Sequence, residues 1–518
     1  MKKIILIFTL LTAISVVNSC RDAYEIVQDG EFSESATFQS VNDMQKFLNN
    51  TYDRVSIYNE IAFTSIFTDE LGIGSQNGGQ NVSLYNFVVT SQNGYASSMW
   101  LGHYSAINSA NRLIAGAKLI TPNGTAEQQA YNSILAQAYA IRAFSHFQLL
   151  SYFAPNIKDN GSLGVILMDR VPAANEKLPR STVGEVFSLI ESDLNFAYAN
   201  IDPVKLPSTA SASYKFVSKT FIDALRARMY LYRGNYTLAE QYADNVINNS
   251  GLTLTPAGTV TVNSAGVANA AFYGSYTTAS TSPYKSMLQD FSRGEVIMAL
   301  DRPVGKAGIA SEFYFNRTNF LGGPYMDLGR AVYNLINVPG DVRKHAYIDP
   351  TAKIDANYQT YSFPQYLLND VLCIDKYSGK SGAELNSDLK VFRLSEMYFI
   401  KAECRVAAND LPGAAARIKA VRDARNYLAP VTLPVYANAT QAWNDILKER
   451  RVELALEGHR YLDLKRIGAL AGVTKTERDP KDVEGYTNKE LNITDSRFTL
   501  PIPADEINGN PIQQNPGY

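Results

Sequence analysis

Cysteine, histidine and tryptophan are scarce in this chain, with 3, 4 and 2 copies among 518 residues. So few cysteines cannot make a disulfide framework, so stability must come from a packed core. Cys373 and Cys404 could form at most one bond, and the sequence leaves that open. The histidines, His103, His146, His345 and His459, have no zinc-ligand spacing and no His-Glu-x-x-His run. Each is expected to be a packed or capping residue, and no metal is expected. No aspartate ladder matches a calcium loop. A dominant charge is missing too. The 48 basic and 50 acidic residues leave a net charge of -2 and no long basic run, which argues against nucleic acid as a partner. Gly72 to Gly79 is rich in glycine but lacks the Lys-Ser/Thr pair of a phosphate loop and the dinucleotide spacing, so no nucleotide cofactor is expected.

Long apolar runs are absent except at the start. Lys2 and Lys3 precede an apolar stretch from Ile4 to Val17, closed by Val17-Asn18-Ser19-Cys20. The stretch is too short for a mature transmembrane helix, so residues 1–19 are expected to be a removable export signal. A small residue before cysteine fits a bacterial lipobox, with cleavage before Cys20 and acylation of that residue. Buried acyl chains contribute about 0.8 kcal/mol per methylene, and two or more chains anchor stably. The mature protein is therefore expected to be tethered to a membrane, with residues 20–40 as a polar tether.

Tyrosine is abundant, at 32 copies. Its apolar face and polar tip suit wet recognition surfaces. Helical periodicity dominates the rest. Trp100, Tyr104, Ile107 and Asn111 mark one helix, and Trp100 is expected to face the core. A second, buried helix runs from about Glu127 to Phe153. Thr182-Val183-Gly184-Glu185 is a capping box. Lys219 to Asn249 reads as a tetratricopeptide-like pair turning at Gly234-Asn235-Tyr236, with Ala239 or Ala243 allowing close approach. Another pair spans about Val391 to Asn426, and a further helix runs from about Gln441 to near Gly458. The fold class is thus mainly α. Helix pairs form an α-solenoid over 41–250 and 341–518, packed with an irregular lobe at 251–340. The segments Asp69 to Ser98 and Gly251 to Gly340 lack helical periodicity and are read as folded, functional loops.

Several blocks resemble the SusD/RagB family of outer-membrane nutrient-binding lipoproteins. They are Ala138-Tyr139-Ala140-Ile141-Arg142-Ala143-Phe144 with His146-Phe147, Arg180-Ser181-Thr182-Val183 with Asp193-Leu194, and Arg393-Leu394-Ser395-Glu396-Met397-Tyr398 with Ala402-Glu403. The longest is Glu449 to Arg466, and the chain closes on Ile502-Pro503-Ala504-Asp505-Glu506-Ile507 and Gln514-Asn515-Pro516-Gly517-Tyr518. The resemblance implies surface display on a Gram-negative outer membrane, an oligosaccharide or polysaccharide ligand (a peptide in some members), and a TonB-dependent transporter as partner. It also implies a non-catalytic role.

A sugar needs flat apolar faces for its C–H groups and planar amides or hydroxyls for its hydroxyl pattern. On composition, Gln76, Asn77, Gln80 and Tyr85 offer these in the first irregular segment, and Tyr276, Tyr284, Tyr314 and Asn319 in the second. The competing chemistry is a lipid-anchored glycosidase. Glu449, Glu453 and Glu457 are spaced to share a helical face, and retaining glycosidases use carboxyls about 5–5.5 Å apart. Arg450, Arg451, Arg460 and Lys465 can instead pair these carboxylates in a scaffold, so no catalytic residue is expected.

Overall fold

The computed structural model describes residues 34–173, 175–202, 213–275, 277–314 and 324–518. Cys20, Tyr276 and Asn319 lie outside the described residues. The polypeptide is mostly helical, and its longer helices follow from their sequence patterns. α1 (Val41–Arg54) starts where the Ser40 hydroxyl accepts the Asp43 amide, and it buries Val41, Met44, Leu48 and Thr51 along one stripe. Phe38, just before it, wedges against Gly116, where a Cβ would come within 2.1 Å of the ring. α2 (Tyr58–Phe67) is buried on almost every side and leads into the short strand β1 (Leu71–Ile73).

α3 (Gly94–Ala117) is capped by Asn93, and α4 (Gly124–Phe153) is buried almost all round from Ser133 onward. α5 (Val183–Asn200) begins with the expected capping box: Thr182 Oγ1 accepts the Glu185 amide, and Glu185 Oε2 accepts the Thr182 amide. α6 (Lys219–Tyr232) and α7 (Tyr236–Asn249) form the expected pair. Gly234 between them has φ +76, a conformation that costs a Cβ-bearing residue free energy. The buried stripe of α7 is Ala239, Ala243 and Val246, small enough for close approach.

Strands β2 (Val296–Leu300) and β3 (Met326–Leu328) lie in the second irregular segment. They stitch it to the rest of the molecule. β3 pairs antiparallel with β1, Leu328 opposite Leu71 and Met326 opposite Ile73, and β2 pairs antiparallel with β4 (Leu389–Arg393). α8 (Leu394–Ala407) and α9 (Leu411–Arg425) make the next helix pair, and α10 (Ala439–Glu453) and α11 (Arg460–Ile467) follow. Each of α3 to α9 packs on its neighbour in the chain, and α10 closes on α8 and α9, which is the solenoid.

α10 ends earlier than the pattern suggests. It stops at Glu453 because Leu456 (φ +61) and Gly458 (φ +85) turn the chain left-handed. Glu457 is therefore not on the helical face of Glu449 and Glu453. It still reaches the same cluster, because Arg393 bridges Glu453 (2.7 Å) and Glu457 (2.9 Å). Arg343 and Arg425 also grip Glu453, at 3.2 and 2.9 Å. Glu453 is fully buried, and its carboxylate faces these arginines. Burial alone would raise its pKa, but Arg425, Arg393 and Arg343 outweigh burial and hold it well below the usual carboxylate range.

The other motif blocks resolve into the same kind of contact between distant parts of the chain. Arg142 forks onto Asp193 at 2.8 and 2.6 Å and bonds Asn111 and the Asp169 carbonyl. Arg228 forks onto Glu396, and Arg460 onto Asp69. The histidines are buried: His103 meets Glu60 at 2.6 Å, His146 meets the Arg142 carbonyl, and burial pushes His146 down to about 3. Cys373 and Cys404 are buried and unbonded.

Candidate functional site

The two irregular segments meet at the β1–β3 seam. Beyond the strand, the Gly74 amide donates to the Tyr325 carbonyl (2.9 Å) and the Gln76 amide to that of Pro324 (3.1 Å). A Cβ at Gly74 would lie 2.1 Å from the Pro324 carbonyl oxygen, so only glycine permits this approach. Asn77 staples the loop: its Nδ2 donates to the carbonyls of Gln80 and Tyr325, and its Oδ1 accepts the Gly79 amide. The staple leaves Gln76 and Gln80 exposed on the loop.

Beside this loop two further segments converge on Glu312, which sits on a short 3-10 turn, Ile309–Glu312. Tyr58, the first residue of α2, donates its hydroxyl to Glu312 Oε1 at 2.6 Å and lies 3.1 Å from Ser311 Oγ. Tyr95, in the first turn of α3, donates to Glu312 Oε2 at 2.8 Å and accepts from Asn81 Nδ2 at 3.1 Å. The Arg302 guanidinium lies 5.6 Å from the centroid of the Tyr58 ring. Tyr58, Asn81, Tyr95, Arg302 and Glu312 are all half-buried, so the cluster is held in place yet open to solvent. Burial, and then the charge of Glu312, push both phenols well above their ordinary pKa, so they remain hydrogen-bond donors. The surface thus combines ring faces, exposed amides and a fixed carboxylate acceptor, the groups that read a hydroxyl-rich ligand.

The expected ligand residues divide. Gln76 and Gln80 lie on this surface. Asn77 is buried and structural. Tyr85 is a correction: it is wholly buried, its hydroxyl donates to the Asp482 carbonyl at 2.9 Å, and the Arg478 guanidinium covers its ring at 3.8 Å. Tyr284 is a second: it is wholly buried, 2.8 Å from the Tyr347 hydroxyl, with Arg425 over its ring at 4.5 Å. Neither offers a stacking face. Tyr314 is also buried, on the turn that carries Glu312. Trp100 belongs to the core, as its periodicity indicates, and its Nε1 donates to Glu506 at 3.0 Å.

Tyr58, Asn81, Tyr95 and Glu312 escaped the sequence reading. One usable signal was the position of Tyr95 directly after Asn93-Gly94, in the first turn of α3 and before that helix's apolar stripe begins. A groove of about 1210 Å³ lies elsewhere, along the Gly234 turn. Its walls carry the ion pairs of Lys401 with Asp244 and of Arg405 with Glu240, together with Nε atoms of Arg405 and Arg417 that have no hydrogen-bond partner among the described residues.

Comparison with known proteins places the whole chain. Residues 331–518 match a family model described as the SusD family, and residues 28–222 match one described as starch-binding, associating with outer membrane. SusD-like protein P2 of Formosa agariphila is 25% identical over 559 aligned residues, covering 100% of this chain and 99% of that one. A SusD superfamily protein of Bacteroides thetaiotaomicron superposes with a TM-score of 0.71 at 24% identity, covering 92% of this chain and 100% of that one. A laminarin-binding SusD-like protein superposes at 0.62 with 20% identity, over 93% and 100% of the two chains. With both halves matched by family models, a relative aligned end to end and the helical-repeat fold shared, this chain belongs to the SusD/RagB family.

Proposed function

We propose that this protein is a cell-surface lipoprotein that captures a glycan on the Tyr58–Tyr95–Glu312 surface and passes it to a TonB-dependent outer-membrane transporter. The observation that carries the reading is that surface: half-buried tyrosine rings, the exposed amides of Gln76 and Gln80, and a carboxylate pre-oriented by two phenols. The family model described as starch-binding and associating with outer membrane, and the laminarin-binding neighbour, supply the ligand class and the compartment. The lipobox-like Cys20 supplies the anchor. The work of the site is binding, not turnover: the Glu449–Glu453 carboxylates are consumed by arginines.

Affinity-gel electrophoresis and calorimetry against laminarin, starch and a panel of other neutral and acidic polysaccharides test this. Binding to at least one glycan is expected, and Tyr58→Ala or Tyr95→Ala should weaken it roughly tenfold or more, since about 1.4 kcal/mol is a factor of ten. If the double variant binds as the native protein does, the site is elsewhere.

A further inference from the structure

A second, smaller cavity lies between α11, the loop after α4 and the last turn of α6. It encloses about 210 Å³ and is lined by Ser151, Asn156, Lys158, Tyr232, Lys465 and Arg466, among others. None of these residues belongs to the glycan surface.

The charges around it do not balance. Arg466 is bonded to Glu403 (2.6 and 3.0 Å) and Asp463 (3.0 Å). Arg450 shares the same two carboxylates, at 3.6 and 2.7 Å. Two arginines thus consume two carboxylates. Lys465 and Lys158 are left over, and among the described residues neither has a carboxylate partner. Lys465 Nζ donates only to the Ala154 carbonyl and the Thr499 hydroxyl, both at 3.1 Å. An ammonium has three N–H donors, so one remains. The Arg466 side chain is 7% exposed, yet its Nε is buried and has no hydrogen-bond partner. An unmet buried donor costs free energy, and so does the Lys465 charge, which is out of water with no counter-charge, whereas Lys158 stands exposed at the cavity rim.

We propose that this cavity binds a small oxyanion of the sulfate or phosphate kind, held by Lys158, Lys465 and the Nε of Arg466. Two charges on the ion match the two unpaired lysines, and its oxygens accept from the donors left open. The size agrees: the cavity is smaller than the roughly 300–1,000 Å³ pockets that enclose drug-sized ligands. The source is either the free ion or the same group esterified to a saccharide. Burial without a counter-anion also lowers Lys465 to about 7, so binding the ion draws a proton onto it above that pH. Lys465 shares the cavity lining with Lys158, with Arg466, which is bonded to Glu403 and Asp463, and with the Tyr232 phenol, which burial pushes up to about 12.

Calorimetry of the full chain with sodium sulfate and sodium phosphate, against sodium chloride at matched ionic strength, tests the proposal. Saturable one-to-one binding is expected, weaker at pH 8.5 than at pH 6.5, with a heat that depends on the ionisation enthalpy of the buffer. Lys465→Met and Lys158→Gln should each weaken it roughly tenfold, the scale of one charge-assisted hydrogen bond. Lys158 is exposed, so its variant folds even if the other does not. A glucose 6-sulfate arm separates the sources. Competition by the ester assigns the group to a saccharide, while exclusion of the ester assigns the free ion, and either result carries the site. Heats indistinguishable from chloride, or sulfate affinity unchanged in both variants, overturn it.

Discussion

Glu453 shows what a single residue does in this scaffold. A carboxylate taken out of water is destabilised by several kcal/mol unless it is paired and hydrogen-bonded. Here Arg343, Arg393 and Arg425 converge on it, and Arg393 and Arg425 also hold Glu295 at 2.8 Å. Glu453→Gln keeps the size and removes the charge, so it leaves guanidinium groups under-compensated inside the core. It should cost about 3–5 kcal/mol, the scale of breaking one side of a buried pair. Differential scanning calorimetry checks this, and a native-like melting temperature would remove Glu453 from the centre of the network. The pH sign follows from the depressed carboxyl. Its contribution is complete above the unfolded value near 4.5 and is lost as pH falls toward the lower folded value. The neighbouring cations named from the sequence are not the partners of these glutamates: Arg450 pairs Glu403 and Asp463, Arg451 and Arg460 pair Asp69, and Lys465 meets no carboxylate among the described residues. The cations that do hold Glu453, Arg343, Arg393 and Arg425, come from separate segments that only folding brings together.

At the scale of elements, two turns and a seam decide geometry. Gly234 sits at φ +76, and a Cβ there would meet only the Lys158 stem, at 3.9 Å. The cost of Gly234→Val is therefore backbone strain rather than collision, about 1–3 kcal/mol, read as a lower melting temperature; an unchanged one would contradict it. The β1–β3 seam carries a different tension. Asp482 Oδ2 accepts the Arg330 amide (2.8 Å) and Oδ1 accepts the Tyr366 hydroxyl (2.9 Å), under Gly72 of β1. Burial, with Asp479 and Asp370 nearby, pushes this carboxyl up to about 7. The folded value is above the unfolded one, so stability is greatest below pH 4 and falls as pH rises through about 7. Asp482→Asn should abolish that loss, a gain of about 2–3 kcal/mol at pH 8 relative to pH 5 by linkage. Chemical denaturation at the two pH values measures it, and an equal effect at both would reject the assignment. Periodicity located the helices, because a 3.6-residue repeat is local. It overran the end of α10, because Leu456 at φ +61 is a conformation that nothing in a leucine announces.

At the scale of the whole molecule, the proposed function joins a capture surface to a lipid anchor. Cys20→Ala should prevent acylation and release the protein from the membrane fraction, followed by fatty-acid labelling and fractionation. Equal labelling of the variant would discard the lipobox. The proposed capture surface should be unaffected in the soluble variant, since no residue of that surface belongs to the proposed anchor.

The sequence by itself determined the helix pairs, the capping box, the glycine turn and the family, because each is written in neighbouring residues or in blocks whose order survives unfolding. Tertiary structure alone decided which tyrosines meet solvent. Tyr85 and Tyr95 look alike in the chain. Tyr85 is sealed by Arg478, whose Nη1 donates to the Tyr85 carbonyl from 393 positions away, while Tyr95 is turned outward onto Glu312 by the first turn of α3. Exposure is a property of what packs on a side chain, and those partners come from remote parts of the chain that no local pattern identifies.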